Sequence, residues 1–239
     1  MRFDDRLTGN LNSYAKQAKI IHLEIDPSEV DKNVKADVAV IGDVKETLPL
    51  LTEVIEKQDH SSWIKEFTDL YKIEYERVIK HDLFPEKQGL TMGEVIRLIN
   101  EFTNGDAVIV TDVGQNQMFA SRYAKHNNTR SFVTSGGLGT MGFGLPAAFG
   151  SKMGAPSKEV ILIVGDGGFQ MTLQELGTIS QEDAAVKIVL LNNKFLGMVR
   201  QWQQLFFDRR YSETPMRNPD FIKIAEGFGI KGKKVLDRP

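Results

Sequence analysis

Asp166 stands between Gly165 and Gly167 directly after the apolar run Val160-Ile161-Leu162-Ile163-Val164, and Asn192-Asn193 directly follows Val186-Lys187-Ile188-Val189-Leu190-Leu191. A carboxylate oxygen and an amide oxygen are hard ligands of the kind Mg2+ prefers. Glycines beside them let backbone N–H groups approach a diphosphate. Mg2+ keeps near-octahedral geometry and takes only one or two protein side chains, leaving its other places to phosphate oxygens and water. Asp166, Asn193 and a nearby backbone carbonyl are a suitable protein share, and a helix after Gly168 would aim its N-terminal dipole at the same charge. Gly-Asp-Gly by itself is ordinary turn chemistry. Two separate β-turns explain each motif singly, and only their pairing points to a site.

The elements that must position this pair follow from the pattern between them. Two buried-strand runs with 24 residues between Gly167 and Asn192 have room for one crossover helix. They read as neighbouring parallel strands, which brings Asp166 and Asn193 to one sheet edge. From Gly89 the alternation is regular. Thr91 caps a helix carrying Val95, Ile96, Leu98, Ile99 and Phe102, Ala107–Thr111 is a strand, and Asp112-Val113-Gly114-Gln115-Asn116 leads into a helix through Tyr123. Phe132-Val133 precedes the glycine-dense segment 135–144, which enters a helix with Pro146 in its first turn. A helix over about 172–181, another over 219–228 and a last strand over Lys233–Leu236 complete the reading. The fold class is α/β, a doubly wound parallel sheet with its ligand loops at the carboxyl ends of the strands.

Residues 1–57 hold a strand over Lys19–Ile25 stopped by Asp26-Pro27, a second over Val38–Ile41 and a helix over about Glu46–Glu56. Two strands and one helix are too few to cover both faces of a sheet, so this stretch reads as the tail of a second α/β domain that begins outside the chain. Residues 58–88 read as a helical connector, with Ser61 and Ser62 as N-caps and Trp63, Phe67, Leu70, Tyr71 and Ile73 on an apolar face. Residues 89–239 form the main domain, expected to be truncated at its C-terminus.

Composition excludes several classes. Thirty basic and thirty-two acidic residues give a net charge of −2 without like-charge blocks, so neither nucleic acid nor a membrane surface is an expected partner. There is no cysteine, which removes disulfides, thiolate catalysis and cysteine-ligated zinc. His22, His60, His81 and His126 lack metal-ligand spacing and read as structural or solvent-exposed. Absence of a leader-like or membrane-spanning apolar run makes a cytoplasmic protein the default.

Beyond the bare pair, Gly165-Asp166-Gly167-Gly168-Phe169-Gln170-Met171, Leu190-Leu191-Asn192-Asn193 and Leu196-Gly197-Met198-Val199-Arg200-Gln201-Trp202-Gln203 form a longer text. In these the chain resembles the thiamine-diphosphate-binding part of the catalytic subunit of acetohydroxyacid synthase, also called acetolactate synthase. The resemblance extends over essentially the whole chain, since Arg2–Arg6 and the strand ending Glu24-Ile25-Asp26 resemble the end of that family's central, flavin-binding domain.

The resemblance implies thiamine diphosphate and Mg2+ as cofactors, with FAD in the full-length parent. It makes Asp166 and Asn193 the metal's side-chain ligands and Phe195 the carbonyl ligand, and it has Gly114, Gln115, Asn116, Gly165, Gly167 and Gly168 anchor the diphosphate. Met141 matches the residue that wedges the cofactor into its V shape, and the Gly139 backbone would accept from the aminopyrimidine; a core methionine filling a gap is the alternative for Met141. Gly197 and Met198 join the cofactor set. Met198, Val199 and Trp202 match the wall of the second-substrate pocket and of a channel that takes herbicide-type inhibitors, although Met198 and Trp202 are four apart and simple helix packing also explains them. Arg2, Asp5 and Glu24 match positions near the flavin, and as surface charges would be unremarkable.

The activity so implied is decarboxylation of pyruvate and condensation with a second pyruvate or 2-oxobutyrate, in branched-chain amino-acid biosynthesis. No residue of this chain is assigned as catalytic, because the family's activating glutamate is expected outside it, and the isolated chain is expected to be inactive. A homodimer and a small regulatory subunit are implied as partners. Another thiamine-dependent 2-oxoacid lyase or oxidase, or a non-catalytic cofactor-binding module, are the alternatives.

Overall fold

The computed structural model describes residues 3–86 and 89–238. Arg2 of the expected flavin set lies outside them. The chain divides into two compact units, residues 1–66 and 67–239.

In the first unit a short helix α1 (Asp5–Thr8) is capped by Asp4, whose side chain accepts the Leu7 N–H. Strand β1 (Ile21–Glu24) pairs in parallel with β2 (Val38–Ile41), Ile21 opposite Val38. β1 is shorter than the strand expected over Lys19–Ile25, because the Asp37 carboxylate takes the Ile20 N–H at 2.8 Å and the Glu24 carboxylate takes that of Ile25. Asp43 caps α2 (Val44–Val54) by accepting from Lys45 N at 2.8 Å. Ile21, Val38 and Ile41 are each more than half exposed, so one helix and two strands do not bury both faces.

Helix α3 (Ser61–Glu74) contains the division between the units. Ser61 and Ser62 are its first residues rather than its caps, and the Asp59 carboxylate takes the Ser61 N–H at 2.9 Å. A π-helical turn at Tyr75–Ile79 leads into α4 (Lys80–Leu83), which ends before Pro85. Helix α5 (Met92–Thr103) starts as expected at Thr91, whose hydroxyl accepts the Glu94 N–H, and stops at Asn104 in the left-handed region.

The rest of the second unit runs β3 (Val108–Thr111), α6 (Gln115–Tyr123), β4 (Phe132–Val133), α7 (Gly144–Gly154), β5 (Val160–Gly165), α8 (Asp166–Met171), α9 (Glu175–Gln181), β6 (Val186–Leu191), α10 (Gly197–Phe206) and α11 (Phe221–Gly227). Its four strands are all parallel, in the order β4-β3-β5-β6. Alternate residues of the central strands feed two cores, one on each face. Val108, Val110, Leu162 and Val164 pack with Leu145, Phe169 and Ile179 of α7, α8 and α9. On the other face Ile109, Ile161 and Ile163 pack with Ile96 of α5 and with Ala120 and Tyr123 of α6. The sheet is therefore doubly wound. The chain leaves β3 for β4 and then crosses back to β5, so the connections diverge between β3 and β5 and open a crevice at their carboxyl ends.

The helix read over about 172–181 is present as α9, starting three residues late at Glu175, after the Thr172 hydroxyl donates to the Gly142 carbonyl at 2.9 Å. One sequence expectation is corrected. Lys233–Leu236 form no strand. Val235 and Leu236 are 59% and 64% exposed, too short an apolar pair to add to the sheet. The segment is instead tied down by Arg238, which donates to both oxygens of buried Glu94 at 2.6 and 3.0 Å.

The Arg238 guanidinium holds the Glu94 carboxyl below the usual glutamate range, against the effect of burial. A depressed folded pKa gives stability that is fully present above the unfolded value and lost as the pH falls through the folded one. Glu94→Gln is therefore expected to flatten the pH dependence of stability below about pH 4.3. Urea midpoints at pH 7 and pH 3.5 check this, and an unchanged slope would refute it.

Candidate functional site

One cleft lies at the carboxyl ends of β3, β5 and β6, and the strand pairing explains its composition. Gly165 is opposite Leu191, so Asp166 and the Asn192-Asn193 pair leave adjacent strands side by side. The lining takes Gly114, Gln115 and Asn116 after β3, Met141 from the glycine-dense segment, Gly165 to Gly168 after β5, and Asn193, Phe195, Gly197, Met198 and Val199 after β6. Met92, Val113, Leu191 and Leu196 also line it and were not singled out from sequence. Gly139 and Trp202 are not in its wall. Gly139 sits exposed in a turn, its N–H donated to the Ser135 carbonyl at 3.1 Å. Trp202 is 55% exposed and stacks on Phe206, ring centroids 4.8 Å apart.

Asp166 is buried, and its Oδ2 accepts the Lys194 N–H at 2.8 Å and Asn218 Nδ2 at 2.6 Å. Its Oδ1 accepts the Gly167 N–H of its own turn at 3.2 Å. Asn193 Oδ1 accepts the Phe195 N–H at 3.0 Å and, as a carbonyl oxygen, keeps a second lone pair. Among the described residues no group of three or more His, Cys, Asp or Glu could hold a metal. A carboxylate, an amide and a backbone carbonyl are a different donor set, suited to a cation that also takes phosphate oxygens.

Helices α6, α8 and α10 all begin at the cleft, and none has a side-chain cap. The start of α5, whose Met92 also lines the cleft, is capped by Thr91, and α7 and α9, which begin outside its wall, also lack side-chain caps. Uncapped first-turn N–H groups facing one crevice form an anion-binding surface. Glycine is required where that backbone must be open. Gly114 has φ of +137°, a conformation that residues with a Cβ rarely adopt.

Three polar residues organise the cleft, and of these only Asn116 was picked out from sequence. Asp112 is fully buried, and its carboxylate accepts the N–H groups of Gly142 and Gly144 at 3.2 and 2.8 Å. It thereby fixes the segment that carries Met141. Asn116 ties the two diverging strand ends together, donating from Nδ2 to the carbonyls of Asp112 and Ile163, both at 3.0 Å. Asn218, between Arg217 and Pro219 in irregular chain, reaches back to Asp166 and to Asn192. An Asp at a strand end and an Asn-Pro step were the only local signals, and both are ordinary turn chemistry.

In the first unit, Asp5 is the first residue of α1 and is exposed. Glu24 ends β1, with Oε1 accepting the Ile25 N–H at 3.0 Å and Oε2 lying 3.7 Å from His22 Nε2.

Comparison with known proteins places the chain in a family. Residues 112–238 match the C-terminal TPP-binding domain of thiamine pyrophosphate enzymes, and residues 1–51 match the central domain of those enzymes. The chain is 46% identical over 243 residues to the acetolactate synthase large subunit of Lactococcus lactis, covering 100% of this chain and 41% of that protein. It is 43% identical over 235 residues to the isozyme 2 large subunit of Escherichia coli, covering 98% of the chain and 41% of the relative. A probable acetolactate synthase large subunit of Methanococcus aeolicus is 44% identical over 248 residues, again covering 98% and 41%. The chain thus spans about 41% of the length of the curated relatives it matches.

Proposed function

Because the chain belongs to the thiamine pyrophosphate enzymes, we propose that it is the cofactor-diphosphate-binding portion of an acetolactate synthase catalytic subunit. The observation that carries the reading is the convergence of Asp166, Asn193 and Phe195 on one glycine cleft rimmed by three uncapped helix starts. Asp166, Asn193 and the Phe195 carbonyl hold Mg2+. The backbone around Gly114, Gln115, Asn116, Gly165, Gly167 and Gly168 holds the diphosphate, with Gly197 and Met198 closing over it. Met141 would prop the cofactor, its Cε 3.5 Å from where a Gly167 Cβ would lie.

Asp166 is the only ionisable side chain among the residues lining the cleft. With that carboxylate committed to the metal, no lining side chain is left to act as general base. Thiamine diphosphate, when bound, supplies the electron sink and the proton-accepting group for the decarboxylation of a 2-oxoacid. This chain's part is orientation and exclusion of water. Met92, Met141, Leu196, Met198 and Val199 give the cleft an apolar wall, which disfavours a charged carboxylate relative to the neutral carbon dioxide it loses. Trp202 and Val199 select the second 2-oxoacid, pyruvate or 2-oxobutyrate. The Gly139 backbone accepts from the aminopyrimidine. FAD, near Asp5 and Glu24, a homodimer, a small regulatory subunit and a cytoplasmic location belong to the proposal for the longer protein. Among the described residues no helix is long and apolar enough to cross a membrane.

Calorimetry with thiamine diphosphate, with and without Mg2+, tests the site, and an acetolactate assay with pyruvate tests the activity. Cofactor binding that requires Mg2+ is expected, with little or no turnover by the 239-residue chain alone. Binding indifferent to Mg2+ overturns the metal assignment. Sustained acetolactate production by the chain alone overturns its dependence on further residues.

A further inference from the structure

Asp166 has two carboxylate oxygens, and the fold uses them unequally. Oδ2 accepts two donors from other parts of the chain, the Lys194 N–H at 2.8 Å and Asn218 Nδ2 at 2.6 Å. Oδ1 takes only the Gly167 N–H of its own turn, at 3.2 Å. One oxygen is thus anchored while the other retains accepting capacity.

Asn218 can anchor it because its own amide has one satisfactory orientation. Nδ2 donates to both Asp166 Oδ2 and Asn192 Oδ1, the latter at 2.8 Å. Its Oδ1 accepts from Gln170 Nε2 at 3.1 Å. A reversed amide would set oxygen against the Asp166 and Asn192 oxygens, and an NH2 group against that of Gln170. The backbone just before Asn218 is also locked to the loop that carries Asn193 and Phe195. The Met216 N–H donates to the Lys194 carbonyl at 2.8 Å, the Leu196 N–H donates to the Thr214 carbonyl at 2.9 Å, and Phe195 and Pro215 form an antiparallel bridge. One segment, 214–218, therefore fixes both halves of the proposed donor set relative to each other.

We propose that Asn218 is a positioning residue that turns Asp166 so that Oδ1 alone faces the metal, and that it thereby sets both the affinity of the site for Mg2+ and its preference over Ca2+. The inference rests on reading the cleft as a magnesium and thiamine diphosphate site. Mg2+ demands near-ideal octahedral geometry, whereas Ca2+ accepts mono- or bidentate carboxylates at longer and more variable distances. A carboxylate free to rotate penalises Mg2+ much more than Ca2+.

The test is titration of the full chain with Mg2+, and separately with Ca2+, at saturating thiamine diphosphate, followed by calorimetry. Asn218→Ala is expected to raise the Mg2+ midpoint by roughly 10–100-fold, the range for loss of an outer-shell partner, with a clearly smaller change for Ca2+ and recovery of full cofactor occupancy at high Mg2+. Gln170→Leu keeps Asn218 and adds no charge but removes the donor to its Oδ1, so the amide loses the contact that holds its orientation. It should shift Mg2+ in the same direction, and it carries the test if Asn218→Ala does not fold. Equal weakening of both metals, or wild-type Mg2+ midpoints in both variants, overturns the inference while leaving the cofactor site standing. Failure of the wild-type chain to bind thiamine diphosphate with either metal overturns the cofactor reading itself and the inference with it.

Discussion

Gly168→Ala is expected to destabilise the second unit by at least about 3 kcal/mol, the upper part of the range for forced overpacking. A Cβ at this position would lie 2.0 Å from Asp112 Oδ1 and 2.6 Å from its Cγ. Asp112 has nowhere to go. It is fully buried, both its oxygens accept backbone N–H groups, and its own N–H donates to the Ile163 carbonyl at 3.1 Å. Gly144 already sits so close that a Cβ there would be 2.9 Å from Asp112 Cβ. Relief therefore requires breaking the bonds to Gly142 and Gly144, which leaves a buried carboxylate without its donors, a change that costs about 3–5 kcal/mol by itself. Gly197→Ala is the informative control. Its Cβ would meet Gln115 Oε1 at 2.2 Å, an even sharper contact on paper than those at most glycines here. Yet that oxygen is the far end of a flexible side chain held only by Gln201 at 3.1 Å, so it swings aside for under about 1 kcal/mol. Denaturant midpoints of the two variants, with unchanged slopes, decide the matter. Equal losses would mean that Asp112 is not the rigid element argued for here.

That contrast also marks how far the sequence could be read. The strands over Val160–Val164 and Val186–Leu191 were legible because a parallel sheet covered on both faces writes near-continuous apolar runs. Once their ends are known, the adjacency of Asp166 and Asn193 follows from topology. Thr91 was legible as a cap because its partner, the Glu94 N–H, is three residues away. Asp112 and Asn218 were not legible as organisers, since their partners lie 30–32 and 26–52 residues away and nothing local marks a residue that bonds across such distances. The late start of α9 has the same origin, a tertiary bond from Thr172, its expected first residue, to Gly142. Lys233–Leu236 failed in the opposite way. A local apolar pair suggested a strand, but Val235 and Leu236 remain exposed and Arg238 fastens the segment. For Trp202, the helix and the four-residue offset from Met198 were legible, but not its place outside the cleft wall, beside Phe206 of the same helix.

Asp166→Asn should abolish Mg2+-dependent binding of thiamine diphosphate while leaving the metal-free fold within about 1 kcal/mol of wild type, the net worth of one hydrogen bond. The substitution is isosteric, so the effect is chemical. An amide has one accepting and one donating end. With its oxygen in the place of Oδ2 it keeps the Lys194 and Asn218 bonds but turns an NH2 group toward the metal. Reversed, it offers the metal a neutral oxygen and sets its NH2 against both of those donors. Neither state supplies the negative oxygen that Mg2+ takes from a carboxylate. The first state gives up only the 3.2 Å bond from the Gly167 N–H, which Oδ1 accepted, and keeps the two to Lys194 and Asn218, which is why stability survives. The expected loss of Mg2+ affinity exceeds the roughly 10–100-fold assigned to an outer-shell partner, and raising Mg2+ to millimolar levels should not restore cofactor binding. Stability and affinity thus separate at Asp166, whereas at Gly168 they fail together. Calorimetric titration beside a thermal melt of the metal-free variant measures both quantities on one preparation. Wild-type cofactor affinity in Asp166→Asn would remove this carboxylate from the metal site altogether, and would leave Asn193 and the Phe195 carbonyl without the charge that makes the cleft a place for magnesium rather than for water.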